Sequence, residues 1–193
     1  MLSWQYESSH CIGGNNMRYH PSIAPLRDYD YFLGGLGGEI GRGFFWRPND
    51  NERTKLDHRA VAMRFGMPPH PRVIDATAEW WVSVRDMNPL TQLDLAYLEL
   101  RMSAWAFAQA YAQDRIISHL HPLICRDSFR LMLGLDPQSK RSNGFIVAGI
   151  QELWPELLAI PINKYGDHRD ALTLVRKATR PSRVARKLRR LLR

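Results

Sequence analysis

Residues 29–43, YDYFLGGLGGEIGRG, decide how the chain folds. The aromatic and branched run over residues 29–33 stops at glycine, which predicts a short buried β-strand. Six of the 13 glycines then lie within the ten residues from Gly34 to Gly43, here termed the glycine loop. Clustered glycines after a strand allow a sharp turn that points several backbone N–H groups at one place, and such a concavity binds phosphate.

The glycine loop matches neither of the two common phosphate-binding motifs. No Gly-Lys-Ser/Thr follows it, as a P-loop requires, and Ile40 stands where a GxGxxG motif needs its last glycine. The alternative is a tight turn without a ligand, because glycine clusters also occur where backbones pack closely. Glu39 and Arg42 favour a binding role, since their charged side chains would stand beside whatever the loop holds.

The rest of the chain predicts a mostly helical architecture. The clearest helix covers about residues 90–118 and ends at His121-Pro122, and its apolar side chains recur every three or four positions, at Leu93, Tyr97, Leu100, Ala104, Phe107 and Tyr111. Shorter helices are predicted over residues 54–66, 73–85, 123–133 and 144–154. Because one strand cannot satisfy its own backbone donors and acceptors, residues 29–33 must pair with unrecognised strands or with strands of another chain.

Composition places the chain among soluble globular proteins. It has 193 residues, of which 45% are hydrophobic and 24% charged. No uncharged apolar run reaches the roughly 18–20 residues needed to cross a bilayer, and the first residues lack the pattern of a secretory signal. Cys11 and Cys125 form no CxxC and are expected to be reduced thiols, so the sequence predicts a cytoplasmic protein.

The net charge of +8 comes from one end of the chain. Residues 176–193 contain nine Lys or Arg and no Asp or Glu, whereas residues 1–175 are almost neutral. We therefore expect one domain over residues 1–175 followed by a basic amphipathic tail over residues 176–193. Such a tail either stays solvated or contacts nucleic acid, an acidic membrane or an acidic protein surface.

The glycine loop resembles a motif of the asparagine synthetase-like ATP pyrophosphatases. In that family a strand leads into Gly-Asp/Glu-Gly-x-Asp-Glu-x-Phe-x-Gly-Tyr. Here Glu39 matches the last Glu of the motif, Gly43 its last Gly and Phe44 its Tyr. The order of elements agrees over about residues 29–167, and Lys164 matches a lysine that lies beside the family's active site.

The resemblance implies an α/β fold of the HUP-like, adenine nucleotide alpha-hydrolase type, with few strands in this chain. It also implies ATP-dependent adenylation of a small carboxylate followed by amide formation, with ATP and Mg as cofactors. On this interpretation Glu39 and Lys164 are catalytic. The nucleotide or its pyrophosphate is bound by five further residues, which are Gly34, Gly35, Gly37, Gly38 and Arg42.

Two parts of that family have no counterpart in this sequence, namely the upstream Ser-Gly-Gly-x-Asp-Ser loop (the PP-loop) and the glutaminase domain. Gly35 and Gly38 also stand where the motif has acidic residues. The resemblance thus implies the C-terminal part of such a ligase, inactive alone and completed by another chain or a missing N-terminal half. The alternative is a non-enzymatic helical module whose basic tail binds nucleic acid or membrane.

Two residue pairs carry weaker signals. His119 and His121 alternate at the predicted helix end, where alternate positions do not share a helix face. Because no third ligand is spaced nearby, they do not indicate a metal site. Glu99 and Arg101 are two positions apart on the long helix and point to different sides, which favours a solvated face or contacts between helices.

Overall fold

A computed structural model describes residues 28–66, 70–106, 117–160 and 165–178. The chain divides into two compact units, Met1–Gly144 (the N-unit) and Phe145–Arg193 (the C-unit). The described residues are mostly helical and include one two-stranded parallel sheet. This confirms the predicted α/β architecture dominated by helices. No described helix is both long and apolar enough to span a membrane.

The sheet consists of β1 (Tyr31–Leu33) and β2 (Ser118–Leu120), which run parallel with Tyr31 opposite Ser118. The strand predicted at residues 29–33 is confirmed over its last three residues. The prediction that it is buried is wrong, because all three side chains are exposed and the two-stranded sheet leaves them uncovered. The helix predicted to continue to residue 118 is wrong at its end, because Ser118 already belongs to β2. Hydrogen bonds with the backbone of β1 outweigh the local helix propensity of residues 118–120. In addition, the ring of Pro122 disfavours a helical backbone conformation at His121.

The N-unit contains five α-helices within its described residues: α1 (His58–Ala62), α2 (Pro71–Trp81), α3 (Pro89–Leu95), α4 (Arg126–Gly134) and α5 (Pro137–Arg141). A 3-10 turn at Met63–Phe65 extends α1 and ends at Gly66, as predicted. α2, α3 and α5 each begin with a side-chain cap followed by proline in the first turn. Proline suits that position because its missing N–H has no intrahelical partner there.

α3 continues as π-helical turns over Ala96–Ala106, and these turns shift its buried face. Leu93 and Tyr97 are buried as predicted, but the next buried positions are Met102 and Ala106, whereas Ala104 is exposed. Hydrogen bonds of the i→i+5 type put more residues into each turn than an α-helix has. Positions predicted to be buried from α-helical spacing therefore no longer face the core after the first turns. The stripe residues beyond Ala106 lie outside the described residues.

The core of the N-unit joins the glycine loop to the helices. Its buried cluster comprises Ile40, Phe45, Val61, Leu93, Ala96, Tyr97, Met102, Ala106 and Met132. Ile40 lies in a 3-10 turn (Ile40–Arg42) within the glycine loop and is fully buried. The loop is therefore fixed to the core by an apolar side chain at its centre.

Two buried ion pairs fasten the N-unit. Lys140 Nζ on α5 lies 2.6 Å from Asp94 Oδ2 on α3, with both side chains almost fully buried. The Arg64 guanidinium donates to both carboxylate oxygens of Asp50, at 2.7 and 2.9 Å. Burial alone would raise the pKa of Asp50, but hydrogen bonds from Arg64 and from the Arg47 N–H lower it below its usual value.

The C-unit contains most of α6 (Gly144–Leu153), a 3-10 turn at Pro155–Ala159 and α7 (His168–Ala178). The predicted helix at residues 144–154 is thus confirmed. The predicted basic tail begins inside α7, and residues 179–193 lie outside the described residues. None of the described side chains in this unit is buried.

Candidate functional site

The carboxyl ends of β1 and β2 meet at one edge of the sheet. Gly34 follows β1 and donates its N–H to the Leu120 carbonyl at 2.8 Å. The ring of His121, which follows β2, lies so close to Gly34 that a Cβ there would overlap it. Ligands of open α/β sheets bind outside the carboxyl ends of the strands, so this edge, including the glycine loop, is the candidate site.

The backbone of the glycine loop is bonded mainly to itself. The N–H groups of Gly38, Ile40, Gly41, Arg42 and Gly43 each donate to the carbonyl three positions earlier, at 3.1 to 3.3 Å. These donors form consecutive tight turns and do not converge on one point outside the loop. A ligand at this edge must therefore be held mainly by side chains.

Two glycines of the loop are required by its conformation. Gly37 and Gly43 have φ values of +97° and +57°, a region that favours glycine. A Cβ on Gly43 would also overlap the ring of Trp46. Gly35, in contrast, faces open space, and its conformation does not require glycine.

Glu39 organises the loop from within. Its Oε2 accepts a hydrogen bond from the Gly37 N–H at 3.1 Å, and its Oε1 lies 3.9 Å from Arg42 Nη2. Burial and the nearby charge of Glu39 raise the pKa of Tyr97 to about 12, so that hydroxyl stays protonated. Arg42 lies at the surface with its guanidinium 5.3 Å from the centre of the Phe44 ring. Arg42 is thus the cation that the loop presents to solvent.

His121 is a candidate that sequence reasoning considered only as a metal ligand and did not place beside the glycine loop. Both of its ring nitrogens are buried and have no hydrogen-bond partner in the described structure. Its ring centre lies 5.8 Å from that of His119, which in turn lies 5.0 Å from Phe32. The premise that alternate positions do not share a face was wrong here, because His119 belongs to a strand and strand side chains two apart point the same way.

The described residues show no cluster of three or more His, Cys, Asp or Glu side chains that could hold a metal ion. Cys125 is a free, exposed thiol, as expected, and it caps α4. Hydrogen bonds with the Ser128 side chain and N–H lower the pKa of Cys125. Lys164 and Cys11 lie outside the described residues.

Glu99 and Arg101 contact different neighbours, in agreement with the predicted contacts between helices. The Trp80 Nε1–H donates to Glu99 at 2.6 Å, and Arg101 donates to the Phe65 carbonyl at 3.4 Å. Both side chains therefore serve the packing of α2 and α1 against the π-helical segment.

Two cavities lie on the side of Trp46 and α5. The smaller has a volume of about 250 Å³, and its lining includes Asp94 and Lys140. The larger, of about 430 Å³, is lined by Asp50, Asn51, Glu52, Arg53, Leu90, Pro137 and Arg141.

Asp94 Oδ1 is buried without a hydrogen-bond partner. Burial raises the pKa of Asp94 to about 6 in spite of the Lys140 charge. We interpret Asp94 as part of the packing, since its side chain is only 2% exposed and its Oδ2 is paired with Lys140.

The chain was compared with protein-family models, with curated proteins and with solved structures, and nothing matched in any of the three comparisons.

Proposed function

We propose that the edge formed by β1, β2 and the glycine loop is part of a nucleotide site, in a fold of the HUP-like, adenine nucleotide alpha-hydrolase type. The reaction is ATP-dependent adenylation of a small carboxylate followed by amide formation, as the resemblance of the glycine loop to asparagine synthetase-like enzymes implies. The observation that carries the proposal is the parallel pairing of β1 with β2, which brings Gly34 and His121 together at the carboxyl edge.

The exposure of β1 supports a larger sheet. Tyr31 and Leu33 are 62% and 70% exposed, whereas parallel strands are normally covered on both faces. The Gly34 N–H donates to the Leu120 carbonyl of β2. Successive N–H groups along a strand point to alternate sides, so those of Tyr31 and Leu33 point away from β2, to the free edge of β1. Another polypeptide segment pairing there would complete the sheet, and it would supply nucleotide contacts that the described residues do not provide.

The side chains define the roles. Because the N–H groups of the loop bond internally, the phosphate charge must be offset by a side chain, and Arg42 has this role. Glu39 holds the loop in shape through its hydrogen bond from the Gly37 N–H. ATP and Mg fit this set only in part. Arg42 suits a phosphate, and Glu39 is the one carboxylate of the loop, while Mg is commonly held by one or two carboxylates together with phosphates.

The test is nucleotide binding followed by catalysis. We expect MgATP to raise the melting temperature of the chain, since a ligand at about 100 times its Kd stabilises by about 2.7 kcal/mol. Arg42→Ala should abolish the rise, and Arg59→Ala, an exposed arginine on α1, should preserve it. Exchange of labelled pyrophosphate into ATP, with Mg and a mixture of carboxylic acids, then tests adenylation. A chain that neither binds ATP nor exchanges pyrophosphate contradicts the proposal.

A further inference from the structure

The C-unit exposes large apolar side chains. Leu153 is 85% exposed, and Trp154 and Ile160 are also exposed. Large exposed apolar patches are rare on soluble proteins, and they commonly mark surfaces that bind a protein, a ligand or a membrane. These side chains therefore indicate that the C-unit contains a binding surface.

α7 shows this most clearly, because its apolar side faces solvent. Helical spacing places Ala171, Leu174 and Val175 on one face, with Leu172 at its border. Leu172 and Leu174 are 62% and 68% exposed. The half-buried side chains of the helix are instead Asp170 and Thr173, which are polar. A helix packed on its own unit shows the reverse pattern, so no described part of the chain covers Leu172 and Leu174 on α7.

Charge identifies the chemistry of that partner. Residues 145–193 contain eleven Lys or Arg and four Asp or Glu, and nine of the basic residues lie within residues 176–193. An apolar helix face joined directly to a segment with many cations and no acids is the composition of an element that lies in a membrane interface. Trp154 agrees with this, because tryptophan is enriched at the level of the lipid headgroups.

We propose that the C-unit binds the surface of an anionic lipid bilayer. The apolar face of α7 enters the boundary between headgroups and acyl chains, and residues 176–193 contact the anionic headgroups. RNA would pair with the same cations but would leave Leu172 and Leu174 in water, so the apolar face favours lipid. The inference is independent of the proposed nucleotide site, which lies in the N-unit.

The first experiment separates apolar insertion from charge. The full chain is floated with vesicles of phosphatidylcholine alone or with about 30% phosphatidylserine, the anionic component. We expect binding to the anionic vesicles only. Leu172→Ser with Leu174→Ser should weaken it at least about tenfold, since two buried side chains are lost. Leu131→Ser is the matched control, because Leu131 on α4 is also 68% exposed and should not change binding.

The second experiment removes charge. Glutamine at Arg183, Arg186, Arg189 and Arg190 should weaken vesicle binding at least about a hundredfold, because each cation near an anionic surface contributes about fivefold. Glutamine at four exposed arginines of the N-unit, Arg59, Arg72, Arg126 and Arg130, should leave it nearly unchanged. Raising the salt from about 0.1 M to about 0.5 M should weaken wild-type binding, since the Debye length shortens.

Four results would overturn the proposal. Equal binding to neutral vesicles would remove the role of the cations. Tight RNA binding without vesicle binding, unaffected by Leu172→Ser with Leu174→Ser, would assign the tail to nucleic acid. A dimer in light scattering that this double variant dissolves, without vesicle binding, would show that a second copy covers α7. Loss of the folded state in the double variant, judged by circular dichroism, would show that the face is internal.

Discussion

The N-unit and the C-unit use apolar residues in opposite ways. Leu93 of α3 is fully buried in a core that includes part of the glycine loop, whereas Leu153 of α6 is almost fully exposed. Both lie on helices with apolar neighbours, and hydrophobicity alone does not distinguish them. An apolar helix in this chain is therefore not sufficient evidence of a core, and the stabilising contacts that can be assigned lie in the N-unit.

The strongest test of the N-unit breaks its buried ion pair. Lys140→Met leaves the buried Asp94 carboxylate without its cation, and this should cost about 3–5 kcal/mol of unfolding free energy in urea denaturation. Adding Asp94→Leu should recover most of the loss, because no uncompensated charge then remains. Lys55→Met, at an exposed position, is the control. A loss below about 1 kcal/mol, the value of a surface pair, would show that the pair is solvated.

The next largest effect lies in the glycine loop. Gly43→Ala should destabilise by about 2–4 kcal/mol, because it adds left-handed strain and overlap with Trp46. Gly35→Ala is the matched variant within the same loop, and it should stay within about 1 kcal/mol of wild type, since a Cβ there meets open space. Thermal and urea unfolding measure both. Equal losses at the two positions would contradict the loop geometry described above.

The pH dependence of stability gives a smaller effect of defined sign. Because the pKa of Asp94 rises to about 6 on folding, from its ordinary value of 3.8, the folded state holds its proton at a pH where the unfolded state has released it. The resulting stabilisation is full below the unfolded pKa and is lost as pH rises through about 6.

The matching measurement compares wild type with Asp94→Asn by urea denaturation at about pH 4 and about pH 7. Wild type should lose stability relative to the variant as pH rises. The lowered pKa of Asp50 has the opposite effect, since the stability that it contributes is lost as pH falls. Both proteins contain Asp50, so its contribution cancels when the stability of Asp94→Asn is subtracted from that of wild type. A difference that stays constant with pH would contradict the burial of Asp94.

The smallest effect is expected in the C-unit. Leu153→Ala should change the unfolding free energy by less than about 0.5 kcal/mol, because the side chain is exposed before and after folding. Leu93→Ala, at a buried position of the N-unit, should cost about 2–5 kcal/mol and serves as the matched substitution. Similar losses for the two leucines would show that both units possess a core.

Part of the candidate site could be predicted from the sequence. The strand that ends at Gly34, the glycine loop, and Glu39 and Arg42 within it follow from local patterns of residue type. His121 did not follow, because a helix was predicted through residue 118 and the period of two was not considered. Only the contact between Gly34 and His121, which lie far apart in the chain, identifies the carboxyl edge.

Local patterns of residue type predicted the strand that ends at Gly34, the helix end at Gly66 and the separation of charge along the chain. Each of these depends on residues within a few positions of one another. The pairing of β1 with β2, the shift of the buried stripe after Tyr97 and the burial of Lys140 with Asp94 could not be predicted in this way. Those features depend on contacts between distant residues, whose free energies outweigh local preference and leave no periodic signal in the sequence.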